Sequence, residues 1–75
     1  MSPRLPVVSG KQMIAFLTHA GFSSIGQKGS HHKMRHPDGK IAIIPMHREL
    51  APGTLQSILR QSDMTLDALH EWLRD

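Results

Sequence analysis

The stretch Gly29–Pro45, GSHHKMRHPDGKIAIIP, predicts the centre of the fold. Its segment 36–39, His-Pro-Asp-Gly, is typical of a tight turn, because proline suits the second position and Asp-Gly tolerates the sharp backbone. His31–Arg35 precedes this turn. The segment 40–46 follows it, is rich in β-branched residues and has Pro45 near its end. The stretch is therefore predicted to form two antiparallel strands joined by a hairpin.

The residues before this hairpin predict a helix and one more strand. Ser9 and Gln12 have the spacing of a capping box, and Gly21 suits the left-handed position after a helix end. A helix is therefore predicted over about 10–20. A first strand is predicted over roughly 22–27, before a turn near 29–30.

The residues after the hairpin predict two further helices. Pro52 suits the first turn of a second helix, which Ser62–Asp63 ends. Thr65 can cap a third, short helix. Short connections favour a meander sheet with the helices on one face. We therefore predict one α+β domain over residues 1–75, with nothing in the chain to cover the other face of the sheet.

Composition excludes several classes of protein. The chain has no cysteine, which excludes disulfides, thiolate–zinc sites and a cysteine nucleophile. The longest apolar run, 41–46, is too short to span a membrane, and 1–10 lacks the apolar core of a signal peptide. We therefore expect a soluble, cytoplasmic protein with no membrane partner.

Charge is unevenly distributed along the chain. Residues 1–60 hold eight basic and two acidic residues, whereas residues 61–75 hold one basic and four acidic residues. A basic body favours contact with a polyanion, and the acidic tail favours a different neighbour. Trp72 in this tail has two interpretations that stay open, an anchor for a protein partner or a closure of the core edge.

Alternation along the second strand predicts a candidate site. Met34 should face the helices, so that His31, Lys33 and Arg35 share the open face. An imidazole beside two cations suits a phosphodiester, because the cations hold phosphate and the imidazole moves a proton near neutral pH. The alternative is a solvated strand face with an incidental histidine.

A metal site is a weaker interpretation of the histidines. His32 and His36 are four residues apart, a spacing that chelates zinc on a helix. On a strand the same pair lies about 13 Å apart, which one ion cannot bridge. No cysteine or carboxylate pair completes a site, so we predict neither a metal nor another cofactor.

Three linked motifs resemble the HicA family of bacterial mRNA-interferase toxins. They are Gly-Ser-His at 29–31, His-Pro-Asp-Gly at 36–39 and PGTLQSILRQ at 52–61, within a resemblance that runs from Ser9 to about Ser62. The resemblance implies a fold like a double-stranded-RNA-binding domain and translation-independent cleavage of mRNA that inhibits growth. We expect the substrate to be single-stranded mRNA and the cleavage to need no metal. It also implies a HicB-type antitoxin that masks the toxin, and we expect oligomers only inside the toxin–antitoxin complex.

The resemblance also implies roles for particular residues. The family's active histidine follows Gly-Ser, which places the catalytic role on His31 and makes Gly29 the motif glycine. The residues that we predict to contact RNA are Lys28, Gly29, Ser30, Lys33, Arg35 and Lys40. Two alternatives stay open: an RNA-binding module without catalysis, and a protein-interaction domain whose open sheet face pairs with another chain.

Overall fold

The computed structural model describes residues 4–74 and has the predicted α+β architecture. Three helices and three strands follow one another in the order α-β-β-β-α-α, which confirms the predicted fold class. The elements are α1 (Gly10–His19), β1 (Ser23–Lys28), β2 (His31–Arg35), β3 (Ile41–Pro45), α2 (Pro52–Ser62) and α3 (Leu66–Leu73). Within the described residues, no helix is long and apolar enough to cross a membrane.

Local signals determine both ends of α1. The Ser9 hydroxyl accepts the Gln12 N–H at 3.0 Å, and the Gln12 side chain accepts the Ser9 N–H at 2.9 Å, which confirms the capping box. At the other end Gly21 has a φ of 102°, and the Phe22 N–H donates to the Leu17 carbonyl at 2.9 Å. This closure uses Phe22 at the helix end, so β1 begins one residue later than predicted.

The sheet has one covered and one open face. Its strands lie antiparallel in the order β1-β2-β3, so β2 is central. Met34, Ala42 and Ile44 are buried beneath the helices. The helical side of the core is formed mainly by Met13, Phe16, Leu17, Leu55, Ile58 and Leu69. All six residues of β1 are exposed, so this strand extends beyond the part of the sheet that the helices cover.

Gly10 joins α1 closely to the end of β3. Its N–H donates to the His47 carbonyl at 2.9 Å, and the residue is buried. A Cβ at this position would lie 2.2 Å from the Pro45 carbonyl oxygen. Only glycine therefore allows this approach of helix to strand, and sequence reasoning did not identify it.

The third helix packs against α1. The Thr65 hydroxyl accepts the Ala68 N–H at 3.0 Å, which confirms the predicted cap, and Leu69 is fully buried. Trp72 is half-buried, with its ring 5.6 Å from that of Phe16 at an angle of 57°. Trp72 therefore closes the core edge and still presents part of its surface.

The hairpin between β2 and β3 is held by one carboxylate. Asp38 accepts the Lys40 N–H at 3.0 Å and forms an ion pair with the Lys40 ammonium. These hydrogen bonds from Lys40 lower the pKa of Asp38 to about 2. Lys40 thereby becomes part of the turn, and β3 begins only at Ile41 rather than at the predicted residue 40.

This contact predicts a measurable pH dependence. Because the folded pKa of Asp38 is depressed, its contribution to stability is complete above about pH 4 and is lost as the pH falls towards 2. Lys40→Met should raise the pKa of Asp38 towards its ordinary value of 3.8, because the side-chain hydrogen bond is the largest cause of the shift. Carboxyl ¹³C NMR titration measures this pKa, with Lys33→Met as control. An unchanged pKa in Lys40→Met would contradict the assignment.

Candidate functional site

The open face of the sheet carries a row of side chains from its central strand. His31, Lys33 and Arg35 are exposed, whereas the intervening Met34 is buried and His32 is half-buried. This is the arrangement that strand alternation predicts. Because β2 pairs on both sides, two hydrogen-bonded ladders hold the backbone of the row in place.

Strand pairing determines the neighbours of the row. Lys28 of β1 lies directly opposite His31, and Ser23 lies opposite Arg35. On the other side, Pro45 lies opposite His31 and Ile43 opposite Lys33. Side chains paired in this way have Cβ atoms about 4.5–5.5 Å apart. His31 therefore has Lys28 as its cross-strand neighbour.

The β1–β2 turn adds backbone groups beside His31. Gly29 has a φ of 59°, the left-handed backbone that the first residue of a tight hairpin loop needs. The Ser30 carbonyl accepts the Met46 N–H at 2.6 Å, and the Gln27 side-chain amide donates to the Gly29 carbonyl at 3.2 Å. These bonds hold the turn against the end of β3.

Five of the six residues predicted to contact RNA are thus near His31 or along the same face. Lys28, Gly29 and Ser30 adjoin it, Lys33 lies about 6.6 Å along the strand, and Arg35 about 13 Å. The face carries the positive charge of Lys28, Lys33 and Arg35 over one strand length. Such a concentration of one sign attracts a polyanion.

Lys40 is not brought into this group. Its ammonium is paired with Asp38 in the hairpin, and the hydrogen bond to the Asp38 carboxylate raises the pKa of Lys40. Alternation places it with Ala42 on the helical side, since the next residue, Ile41, pairs with Arg35 on the open face. Lys40, which is predicted to contact RNA, thus lies in the hairpin beside Asp38 rather than in the row with Lys33 and Arg35.

Two exposed isoleucines beside the row were missed by sequence reasoning. The register shift between Ser24 and Gly26 leaves Ile25 as the extra residue of a β-bulge, 50% exposed. It lines a shallow depression of about 340 Å³ with Arg35. Ile43, opposite Lys33, is 37% exposed. A glycine inside a predicted strand is the signal that could have revealed the bulge.

His32 has a partner of its own on the other side of β2. Its Nε2 lies 2.5 Å from the Ser24 hydroxyl oxygen, a hydrogen bond that joins β1 to β2. The adjacent histidines His31 and His32 therefore point to opposite faces. Among residues 4–74, no group of three or more histidine, cysteine or carboxylate side chains is placed to hold a metal ion.

Comparison with known families covers both the site and the fold around it. The family model described as the HicA toxin of bacterial toxin–antitoxin matches residues 10–64, from the start of α1 to the turn after α2. A search of curated proteins gives no significant match. Residues 10–64 are more than half of the 75-residue chain and include β2 and the turn before it. The chain therefore belongs to the HicA toxin family of bacterial toxin–antitoxin systems.

Proposed function

We propose that this HicA-family toxin is an endoribonuclease that cuts single-stranded mRNA without a metal ion. The observation that supports this most strongly is the exposed imidazole of His31 at the end of the central strand, flanked by Lys28 and Lys33. The cations supply phosphate binding and the imidazole supplies proton transfer. Cleavage of mRNA accounts for the growth inhibition expected of a toxin and places the protein in the cytoplasm.

His31 acts on the ribose 2′-hydroxyl. The imidazole accepts the hydroxyl proton, and the 2′-oxygen attacks the adjacent phosphorus. The bond from phosphorus to the 5′-oxygen breaks, that oxygen takes up a proton from water, and His31 releases its own proton to water. The products are a 2′,3′-cyclic phosphate and a 5′-hydroxyl end. Lys28 and Lys33 stabilise the negative charge that develops on the phosphate oxygens.

The shape of the open face favours a single strand. The row of His31, Lys33 and Arg35 lies on an exposed sheet surface that a phosphate backbone can follow. Ile25 and Ile43 flank this row and offer apolar surface to bases that are not paired. Recognition of unpaired bases on a sheet is common in RNA-binding proteins.

A cleavage assay in EDTA tests this function. The substrate is a single-stranded RNA, compared with the same RNA carrying one 2′-deoxyribose at the mapped cut site. We expect cutting of the first at that site with a cyclic-phosphate product, and no cutting there in the second. Loss of activity in EDTA, or cutting at the deoxyribose, would contradict the mechanism.

The cations of the row should determine the salt dependence of RNA binding. Each phosphate contact removed from a single strand lowers the slope of log K against log salt by about 0.7. We therefore expect Lys33→Ala and Arg35→Ala each to flatten the slope by this amount, whatever the RNA sequence. Lys40→Ala is the control and should leave the slope unchanged, because Lys40 is paired with Asp38. Equal slopes for all variants would show that the RNA does not bind along this face.

The antitoxin partner that the family implies is proposed to be of the HicB type. An acidic surface laid across β2 would cover His31 and complement Lys33 and Arg35, which favours fast, salt-sensitive association. The exposed Ile25 and Ile43 beside the cations add apolar contact area for such a surface.

One observation favours a second candidate, an RNA-binding module without catalysis. Among the residues of the three strands, His31 is the single histidine on the open face, and none of the strands carries a carboxylate. RNA binding without any cleavage would favour this alternative. The cleavage assay described above separates the two functions.

A further inference from the structure

A groove on the helical side of the molecule plays no part in the proposed ribonuclease site. It lies between α1 and α3 and has a volume of about 980 Å³. Its apolar lining includes Phe16, Met64, Ala68 and Trp72, with Gln12 and Glu71 at its edges. The half-buried Trp72 forms its aromatic floor, supported from below by the buried Phe16, whose ring is tilted at 57° to it. This groove is large enough for several apolar side chains of a partner.

The second wall of the groove lies outside the part of the chain that matches the family model. The family match ends at residue 64, whereas α3 runs from Leu66 to Leu73. This helix contributes one fully buried residue, Leu69, to the core. Its remaining contact surface includes Ala68 and Trp72, which line the groove.

Charge distinguishes the two edges of the groove. On the α3 side, the exposed Asp67 and Glu71 are four residues apart and so lie one turn apart on the same helix face. Arg74 lies 3.5 Å from Glu71, but both side chains are exposed and such a pair is weak. On the α1 side, the groove is bordered by the polar Gln12 and by His19. One edge is thus acidic, on a molecule whose sheet is basic.

We propose that the α1–α3 groove binds an amphipathic helix of a partner protein. Its apolar stripe would rest on Ala68 and Trp72, and lysine or arginine on one flank would face Asp67 and Glu71. Grooves between helices commonly take a third helix through apolar residues at i, i+3, i+4 and i+7. The acidic edge determines which flank of the bound helix faces α3.

A second copy of this chain fits the groove poorly. The large apolar side chains that are exposed among residues 4–74 are Val7, Ile25 and Ile43, and none of them lies on a helix. Two copies of α3 would also bring their acidic edges together, which costs free energy. The occupant is therefore a different, basic chain.

The position of the groove separates it from the RNA face. The groove is formed by helices, whereas His31 and the cations lie on the uncovered side of the sheet. A partner helix can therefore bind here while the open face stays accessible. The proposal does not depend on whether His31 cuts RNA.

Trp72 provides a direct measurement, because it is the one tryptophan of the chain. The probe is a synthetic peptide of about four helical turns with leucine at the stripe positions and lysine along one flank. Titration of the full-length protein should shift the Trp72 emission to shorter wavelength in a saturable way. The same peptide with glutamate in place of lysine should bind at least about tenfold more weakly, because its negative charges are repelled by the acidic edge.

A pair of charge-matched variants localises the binding. Glu71→Lys at the groove edge should lower the affinity for the lysine peptide about tenfold. Glu49→Lys, in the loop between β3 and α2, changes the net charge equally and should leave the affinity unchanged. If circular dichroism shows that Glu71→Lys is unfolded, Asp67→Asn takes its place, with a smaller expected loss of affinity for the lysine peptide.

Four outcomes would overturn the proposal. They are an unchanged Trp72 emission at millimolar peptide, equal affinity for both peptides, equal losses in the groove-edge variant and in Glu49→Lys, and an emission shift that depends on protein concentration without any peptide. The last outcome would assign the groove to a second copy of the chain.

Discussion

Replacing His31 with alanine is expected to lower the rate of RNA cleavage about 10²- to 10⁴-fold, the usual contribution of a proton-transfer group. The side chain is exposed on the open face, so its removal leaves the core intact. Thermal unfolding should therefore change little, since exposed substitutions alter the free energy of unfolding by about 0.5 kcal/mol or less. Cleavage rates on single-stranded RNA and growth on induction measure the two consequences together.

The neighbouring histidine is a matched control. His32→Ala removes the same side chain one position along the same strand, but from the opposite face. It should retain cleavage and lose about 1 kcal/mol of stability, because the hydrogen bond to Ser24 is lost. A folded His31→Ala protein with full activity would disprove the catalytic assignment. Equal loss of cleavage in both variants, at unchanged stability, would show that a position on the open face does not distinguish the catalytic histidine.

The second large effect is expected at Gly10. A methyl group there would meet the Pro45 carbonyl oxygen at 2.2 Å and the Met46 Cα at 3.0 Å. Both are backbone atoms, so α1 or the end of β3 has to move, and the hydrogen bond from Gly10 to His47 is strained with it. Gly10→Ala should cost about 1–3 kcal/mol or more. Such a loss is large for a domain whose total stability is about 5–15 kcal/mol.

Gly53→Ala is the matched control for this substitution and should have the opposite sign. Gly53 lies in the first turn of α2 and is exposed, and a Cβ added there would have no heavy atom within 4 Å. Alanine there should stabilise the protein by about 0.4–1 kcal/mol, because it restricts the unfolded chain. Urea denaturation of both variants measures the difference. A Gly10→Ala protein as stable as the wild type would show that the close approach is not required.

Much of the fold could be predicted because its signals are local. The capping box of Ser9 and Gln12, the helix end at Gly21 and the hairpin at 36–39 each depend on residues within a few positions. The element order follows from them, and the structure confirms it. The predicted element ends were wrong by one residue where a backbone or side-chain group hydrogen-bonds within a neighbouring turn, as at Phe22 and Lys40.

The candidate site was predictable to the extent that it follows alternation along one strand. His31, Lys33 and Arg35 share a face because they are two residues apart. Lys40 differs, because its position depends on the ion pair with Asp38 across a turn. Ile25 and Ile43 were missed because a bulge and the cross-strand register determine their exposure.

By itself, the sequence determined the order of the elements, the face that His31 occupies and the family to which the chain belongs. These depend on short-range periodicity, capping and linked motifs, which a single chain displays directly. Only the tertiary structure decided that Gly10 must be glycine, that Lys40 is withdrawn from the open face and that α3 forms a groove with α1. Each of these depends on atoms from segments distant in sequence, whose approach is determined by the packing of the whole domain.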